Sequence, residues 1–214
     1  MIPIRLHWFL CLALLGFACT VCGCVQSATT ERKYYVLDTV REGGPARIHT
    51  GSTLRLRRFN VDEAFATRQL VYRVDEFRYE PDYYHQFLVL PGVMITEEAR
   101  DWLANSGLFG RVTSVGSRLE STYLLEGNVI ALYADFTKGS APAAIMTIRF
   151  FLLVGPDANE TVPLAQTYRA ESPILAKTAE AVVEAFSKDL SEILTRLEAD
   201  LEKTLSRQPG KSQP

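Results

Sequence analysis

Hydrophobic positions change period several times along this 214-residue chain, and each change marks an element. Tyr34-Tyr35-Val36-Leu37 has strand composition, and Glu42-Gly43-Gly44-Pro45 then breaks the pattern. Leu54-Arg55-Leu56-Arg57 alternates strictly, which predicts a half-buried strand with both arginines on the wet face. Leu70, Tyr72 and Val74 repeat that alternation. After Pro91-Gly92 the spacing becomes helical. Ile95, Ala99, Trp102 and Leu103 share one face, Glu97 and Glu98 favour the helix start, and Asn105-Ser106-Gly107 ends it. Three strand-like stretches follow, at 119–136, 144–154 and 162–170, with turns at Lys138-Gly139-Ser140 and Gly155-Pro156-Asp157. Their order predicts an antiparallel meander, with Gly127 as a bulge or bend in the first stretch.

The last element is a long amphipathic helix from about Pro173 to Leu205. Leu175, Ala179, Val182, Phe186, Leu190, Ile193, Leu197 and Leu201 recur at steps of three and four, while charged residues such as Glu184, Lys188 and Glu192 occupy the other faces. Such a helix packs along a sheet or protrudes for assembly. The expected order is β-β-β-α-β-β-β-α, an α+β fold with an antiparallel sheet packed by two helices.

The N-terminus follows a different rule. Arg5 precedes an apolar run from Leu6 to Ala18. That run is shorter than the roughly 20 residues of a membrane-spanning helix and suits the core of a signal peptide. All four cysteines, Cys11, Cys19, Cys22 and Cys24, lie in or just after this segment. Cys19-x-x-Cys22 has a metal-ligand spacing, but no second pair follows and the three histidines, His7, His49 and His85, are scattered. No metal site and no cofactor are expected. Val21-Cys22-Gly23-Cys24 instead resembles a bacterial lipobox, in which the last cysteine is diacylated and the leader is cut before it. Gly16-Phe17-Ala18-Cys19 fits less well, because Phe17 is bulky. The expected organisation is therefore a signal peptide (1–23), a lipidated tether (24–33), a single α+β domain (34–205) and a short tail (206–214). Cleavage before Cys24 leaves a mature chain without disulfides, so its stability has to come from its core. In bacterial lipoproteins Asp after the lipidated cysteine retains the protein at the inner membrane. Val25 stands there in this chain, which points to the outer membrane.

Composition narrows the function classes. With 23 Lys+Arg against 25 Asp+Glu, the net charge is −2, which argues against nucleic acid as a partner. There is no Gly-x-Ser-x-Gly elbow, Walker loop or His-Glu-x-x-His, and the adjacent carboxylates at Asp62/Glu63, Asp75/Glu76 and Glu97/Glu98 do not form a convergent pair. The expected function is not enzymatic. The segment from Phe77 to Phe87 is rich in aromatics, and Tyr79, Tyr83, Tyr84 and Phe87 are its candidate partner-binding residues, since tyrosine gives contact area at low entropy cost. The competing reading is that these aromatics cover a sheet edge.

Taken in order, these pieces resemble the ABC-type transport auxiliary lipoproteins, the PqiC-like family. The matching stretches are Tyr34-Tyr35-Val36-Leu37-Asp38, Gln69-Leu70-Val71-Tyr72-Arg73, a tyrosine-rich turn before the helix, and Ser106-Gly107-Leu108-Phe109-Gly110-Arg111-Val112. Phe87 stands where the family pattern has tryptophan. The resemblance covers roughly Tyr34 to Leu201. It implies an accessory of an envelope lipid-transport system, docking an MCE-domain protein and, through it, an ABC permease and ATPase. A homo-oligomer is compatible with this. Two other functions compete: a periplasmic lipid carrier and an envelope hydrolase.

Overall fold

The computed structural model describes residues 31–44, 49–114, 116–137, 139, 141–155 and 161–207. The signal-peptide, Cys24 and Cys19 expectations therefore lie outside the described residues, as does the end of the tail. In chain order the elements are β1 (Lys33–Tyr35), β2 (His49–Leu56), β3 (Asn60–Val61), β4 (Gln69–Arg73), β5 (Tyr79–Phe87), α1 (Pro91–Ser106), β6 (Phe109–Thr113), β7 (Tyr123–Asp135), β8 (Ala143–Val154), β9 (Thr161–Pro173) and α2 (Ala179–Arg207). The fold is α+β, with one mixed sheet, two helices and a long C-terminal helix.

The expected meander forms. β7 pairs antiparallel with β8, and β8 with β9, over almost their full lengths. The rest of the sheet corrects the antiparallel expectation. The other long side of β7 is shared by β2, β3 and β4, each pairing parallel with a different stretch of it. β6 adds parallel to β2, and β1 adds parallel to β5 at the far end. Alternation along a strand assigns its faces but not its partner, so Leu54-Arg55-Leu56 reads correctly while its parallel pairing with Tyr123-Leu124-Leu125 does not.

Both helices contribute to a single core. Phe87, Phe150, Tyr168 and Phe186 are its largest fully buried side chains. α1 ends at Gly107, whose φ of 74° is the left-handed cap that glycine adopts without strain. α2 is buried at Ala179, Val182, Phe186, Leu190, Ile193, Leu197, Leu201 and Leu205, so its apolar face packs along its whole length and does not protrude. Its start differs from the expected one. Ser172 and Pro173 extend edge strand β9, and Leu175 stands exposed before the helix begins. Proline is tolerated on an edge strand because the missing N–H faces no ladder partner.

Between β1 and β2 the chain crosses the helices as an extended strap. Leu37 N–H donates to Met94 Sδ, Asp38 N–H to Ser187 Oγ, Thr39 N–H to Glu98 and Val40 N–H to Ser191 Oγ. Side chains of α1 and α2 thus replace the ladder that this segment lacks. The strap ends at Arg41, which Glu198 grips.

Candidate interaction site on strand β5

β5 is not a regular strand. Gln69 on β4 pairs with Gln86 and Val71 pairs with Pro81, so the β5 residues between Pro81 and Gln86 bulge away from the ladder. Asp82 organises the bulge. Its Oδ1 accepts the N–H groups of Tyr84 and His85 at 2.9 and 3.1 Å. Its Oδ2 accepts the Tyr72 hydroxyl at 2.9 Å and lies 2.8 Å from His85 Nδ1. Burial pushes the Asp82 carboxyl up, but the hydrogen bonds from His85, Tyr84 and Tyr72 outweigh it and hold the group below its ordinary value. Burial, and then the bond to Asp82, push the Tyr72 hydroxyl well above the usual tyrosine range.

This scaffold presents Tyr83 and Tyr84 to solvent. They are 56% and 41% exposed, and their rings meet edge to face with centroids 5.2 Å apart. The Arg32 guanidinium lies over the Tyr83 ring at 4.2 Å, where the described body begins. Tyr83 and Tyr84 thus form an exposed aromatic pair on a bulge held at several points by one carboxylate.

The other two candidates lie elsewhere. Tyr79 packs edge-on to Tyr133 at 5.3 Å, and Phe65 stacks on Tyr133 at 5.7 Å. At 43% exposed Tyr79 is as open to solvent as Tyr84, at one end of this intramolecular cluster. Phe87 is 2% exposed and packs against Phe186 of α2, with ring centroids 6.3 Å apart, so it belongs to the core and is not a contact residue. The bulge explains the division, because strict alternation would put Tyr79, Tyr83 and Phe87 on one face, whereas beyond the bulge Phe87 packs on α2.

A mixed cleft of about 420 Å³ lies between the bulge and the start of α2, with Asp82, His85, Lys177 and Glu180 beside the apolar Phe136 and Val182. Glu180 Oε1 accepts the Tyr35 hydroxyl at 2.9 Å and an ion pair from Lys33 at 3.4 Å. Burial first, and then the bond to Glu180, push the Tyr35 hydroxyl up to about 12. Composition and alternation do not single out Asp82 and Tyr72 as site residues. The available signal was Pro81-Asp82 inside a strand-like run, since Asp accepts hydrogen bonds from N–H groups two and three residues ahead and so bends a strand. Asp82 orients the His85 ring, but among the described residues no hydroxyl or thiol is hydrogen-bonded to its other nitrogen. No cluster of three or more potential metal ligands exists among the described residues.

No protein-family model matches the chain, and no curated protein matches it in sequence. Solved structures do match. The chain is similar to protein XCC0632 from Xanthomonas campestris, a structure ascribed to family DUF330, with 18% identity and a TM-score of 0.72 over 82% of this chain and 98% of that one. It is also similar to the crystal structure of an uncharacterized protein, with 13% identity and a TM-score of 0.60 over 82% of this chain and 99% of that one. At these identities the likeness establishes a shared fold.

Proposed function

We propose that this chain is a lipid-anchored, non-enzymatic accessory of an envelope ABC/MCE-type lipid transporter, docking the periplasmic MCE assembly at the outer membrane. The preorganised Tyr83–Tyr84 pair is the observation that carries this reading. Rigid aromatics on a fixed backbone lose little entropy on binding, so they suit the anchor positions of a protein interface. The sequence pattern that names the partner class is the order of Tyr34-Tyr35-Val36-Leu37, Gln69-Leu70-Val71-Tyr72-Arg73 and Ser106-Gly107-Leu108-Phe109. The fold supports it at the level of architecture, through the likeness to XCC0632. A subunit of this kind works without ATP, which the periplasm lacks. It contributes binding energy and position.

Crosslinking followed by recovery of the full-length protein from gently solubilised envelopes tests the reading. Recovery of an MCE-domain protein is expected, and Tyr83→Ala with Tyr84→Ala should reduce it at least about tenfold while the domain stays folded, since interface anchors are worth 2 kcal/mol or more. Recovery of unrelated envelope proteins only, in cells that express the transporter, would overturn it.

A further inference from the structure

Three consecutive aliphatic residues, Leu88, Val89 and Leu90, are 52%, 40% and 50% exposed in the turn between β5 and α1. Tyr34 and Val36 extend the strip. Leu88 N–H donates to the Tyr35 carbonyl at 2.8 Å, so the chain leaving β1 runs beside this turn, with Tyr34 and Val36 both exposed. Arg68 borders it, with its guanidinium 5.2 Å from the Tyr34 ring centroid and its Nε donating to the Phe87 carbonyl at 3.0 Å. Soluble surfaces carry single exposed leucines without consequence, but a contiguous apolar strip marks a contact surface. Leu90 adds an independent sign. It occupies the N-cap of α1 with an extended backbone and no side-chain cap, where Ser, Thr, Asp or Asn would satisfy a free N–H. Departures from local rules of this kind concentrate at functional positions.

We infer that this strip seats the domain on a phospholipid bilayer. Leu88, Val89 and Leu90 enter the boundary between headgroups and acyl chains, Tyr34 sits at headgroup depth, and Arg68 meets lipid phosphate. The choice of a bilayer over a protein partner rests on the lipid-anchor reading. Cys24 precedes Arg32 by only eight residues, and at about 3.3–3.6 Å per residue the acylated end stays within roughly 30 Å of the body. The edge made by β1 and β5 is the one on which that chain enters, and it carries the aliphatic strip. The Tyr83–Tyr84 pair lies in the bulge at the middle of the same strand, beside Arg32, and is separate from the strip that follows Phe87.

Val89→Trp and, as a control, Val162→Trp on exposed edge strand β9 test this in the full-length protein. Each is reconstituted into phosphatidylethanolamine–phosphatidylglycerol vesicles with plain or brominated acyl chains. Bromine should quench the added Val89→Trp emission at least about twofold more than that of Val162→Trp, because only inserted side chains reach the acyl region. Adding Leu88→Asp and Leu90→Asp should abolish the difference. Equal quenching at both positions would overturn the inference. So would protection of Val89→Trp from aqueous iodide without bromine quenching, which would identify a protein or a second copy as the occupant. Intact mass of the same samples reports acylation separately. An acylated chain with unquenched Val89→Trp removes the seating surface alone. A chain without acyl groups removes the anchor, and bromine quenching still decides whether the strip seats itself.

Discussion

Gly127 lies against the ring of Phe59, so closely that a Cβ at position 127 would stand 2.7 Å from the Phe59 Cγ and Cδ1. Gly127 pairs in register with Phe150 on β8, and Phe150 meets Phe59 edge-on with centroids 5.4 Å apart. The glycine is therefore the recess that lets an aromatic ring lie flat on the sheet. The ladder runs through this glycine without a bulge, and the register shift in β7 falls between Val129 and Ala131 instead. Gly127→Ala should lower stability by about 1–3 kcal/mol, as overpacked sites do. Urea unfolding of Gly127→Ala alone and in a Phe59→Leu background checks this. The alanine penalty should shrink once the ring is gone, and an unchanged penalty would place its cause in the strand backbone.

Glu198 joins three segments. Arg41 holds it with both Nε and Nη2, at 3.0 and 2.7 Å, and Trp102 Nε1 donates to it at 2.7 Å. The Arg41 and Glu198 side chains are only 14% and 17% exposed. Removing the carboxylate leaves the Arg41 guanidinium with only the Gly43 and Gly44 carbonyls and the Trp102 indole N–H without its acceptor, in a poorly solvated place, so Glu198→Ala should cost about 3 kcal/mol. Glu198→Gln keeps an acceptor for Trp102 and should lose less. Hydrogen exchange should report a second effect, faster exchange at the Asp38 and Val40 amides as the strap loosens, with α1 unchanged. Uniform acceleration would mean that the whole domain had opened.

The parts of this fold legible in the sequence are those whose pattern repeats. Eight turns of α2 carry apolar residues at steps of three and four, so Val182 through Leu201 read correctly as a buried face. The β7–β8–β9 meander is legible because turn residues separate consecutive strands. What escaped the reading depends on partners distant in sequence or on a side chain folding back on its own backbone. Nothing local to Leu54 or Tyr72 announces that both strands will share β7 in parallel. The β5 bulge depends on Asp82 capturing the amides of Tyr84 and His85, and that geometry decides which aromatics are exposed. Local aromatic composition therefore groups Phe87 with Tyr83 and Tyr84, although Phe87 packs on Phe186.

Asp189 should make stability depend on pH. It lies in α2 fully buried, and neither carboxyl oxygen meets a well-formed hydrogen bond among the described residues. Burial drives its carboxyl up to about 7, with Ser172 opposing the rise and Glu192 and Glu171 reinforcing it. The folded state therefore holds a proton that the unfolded chain releases near pH 4. The stabilisation is complete below about pH 4 and is lost as pH rises through 7. Asp189→Asn imitates the protonated acid at all pH values. It should change little at pH 3, below both values, and should raise stability at pH 8 by on the order of 2–4 kcal/mol. Denaturant melts of both proteins at the two pH values decide the matter. Parallel pH profiles would mean that Asp189 is not the titrating group.

Leu90 offers a test in which stability and surface function oppose each other. The first turn of α1 contains no acidic residue and its N-cap has no side-chain acceptor, while Leu90 already has the extended backbone of a capping residue. Leu90→Asp supplies both an acceptor for a free N–H and a negative charge at the positive helix end, and should raise stability by about 0.5–2 kcal/mol. Leu88→Asp, on an exposed position outside the helix, should stay within about 0.5 kcal/mol of the parent. Thermal melts of the two variants separate the cap from a general effect of removing surface leucine, which would shift both alike. If Leu90→Asp gains stability yet loses contact with vesicles, the leucine is held at that position by the surface it makes and not by the helix it begins.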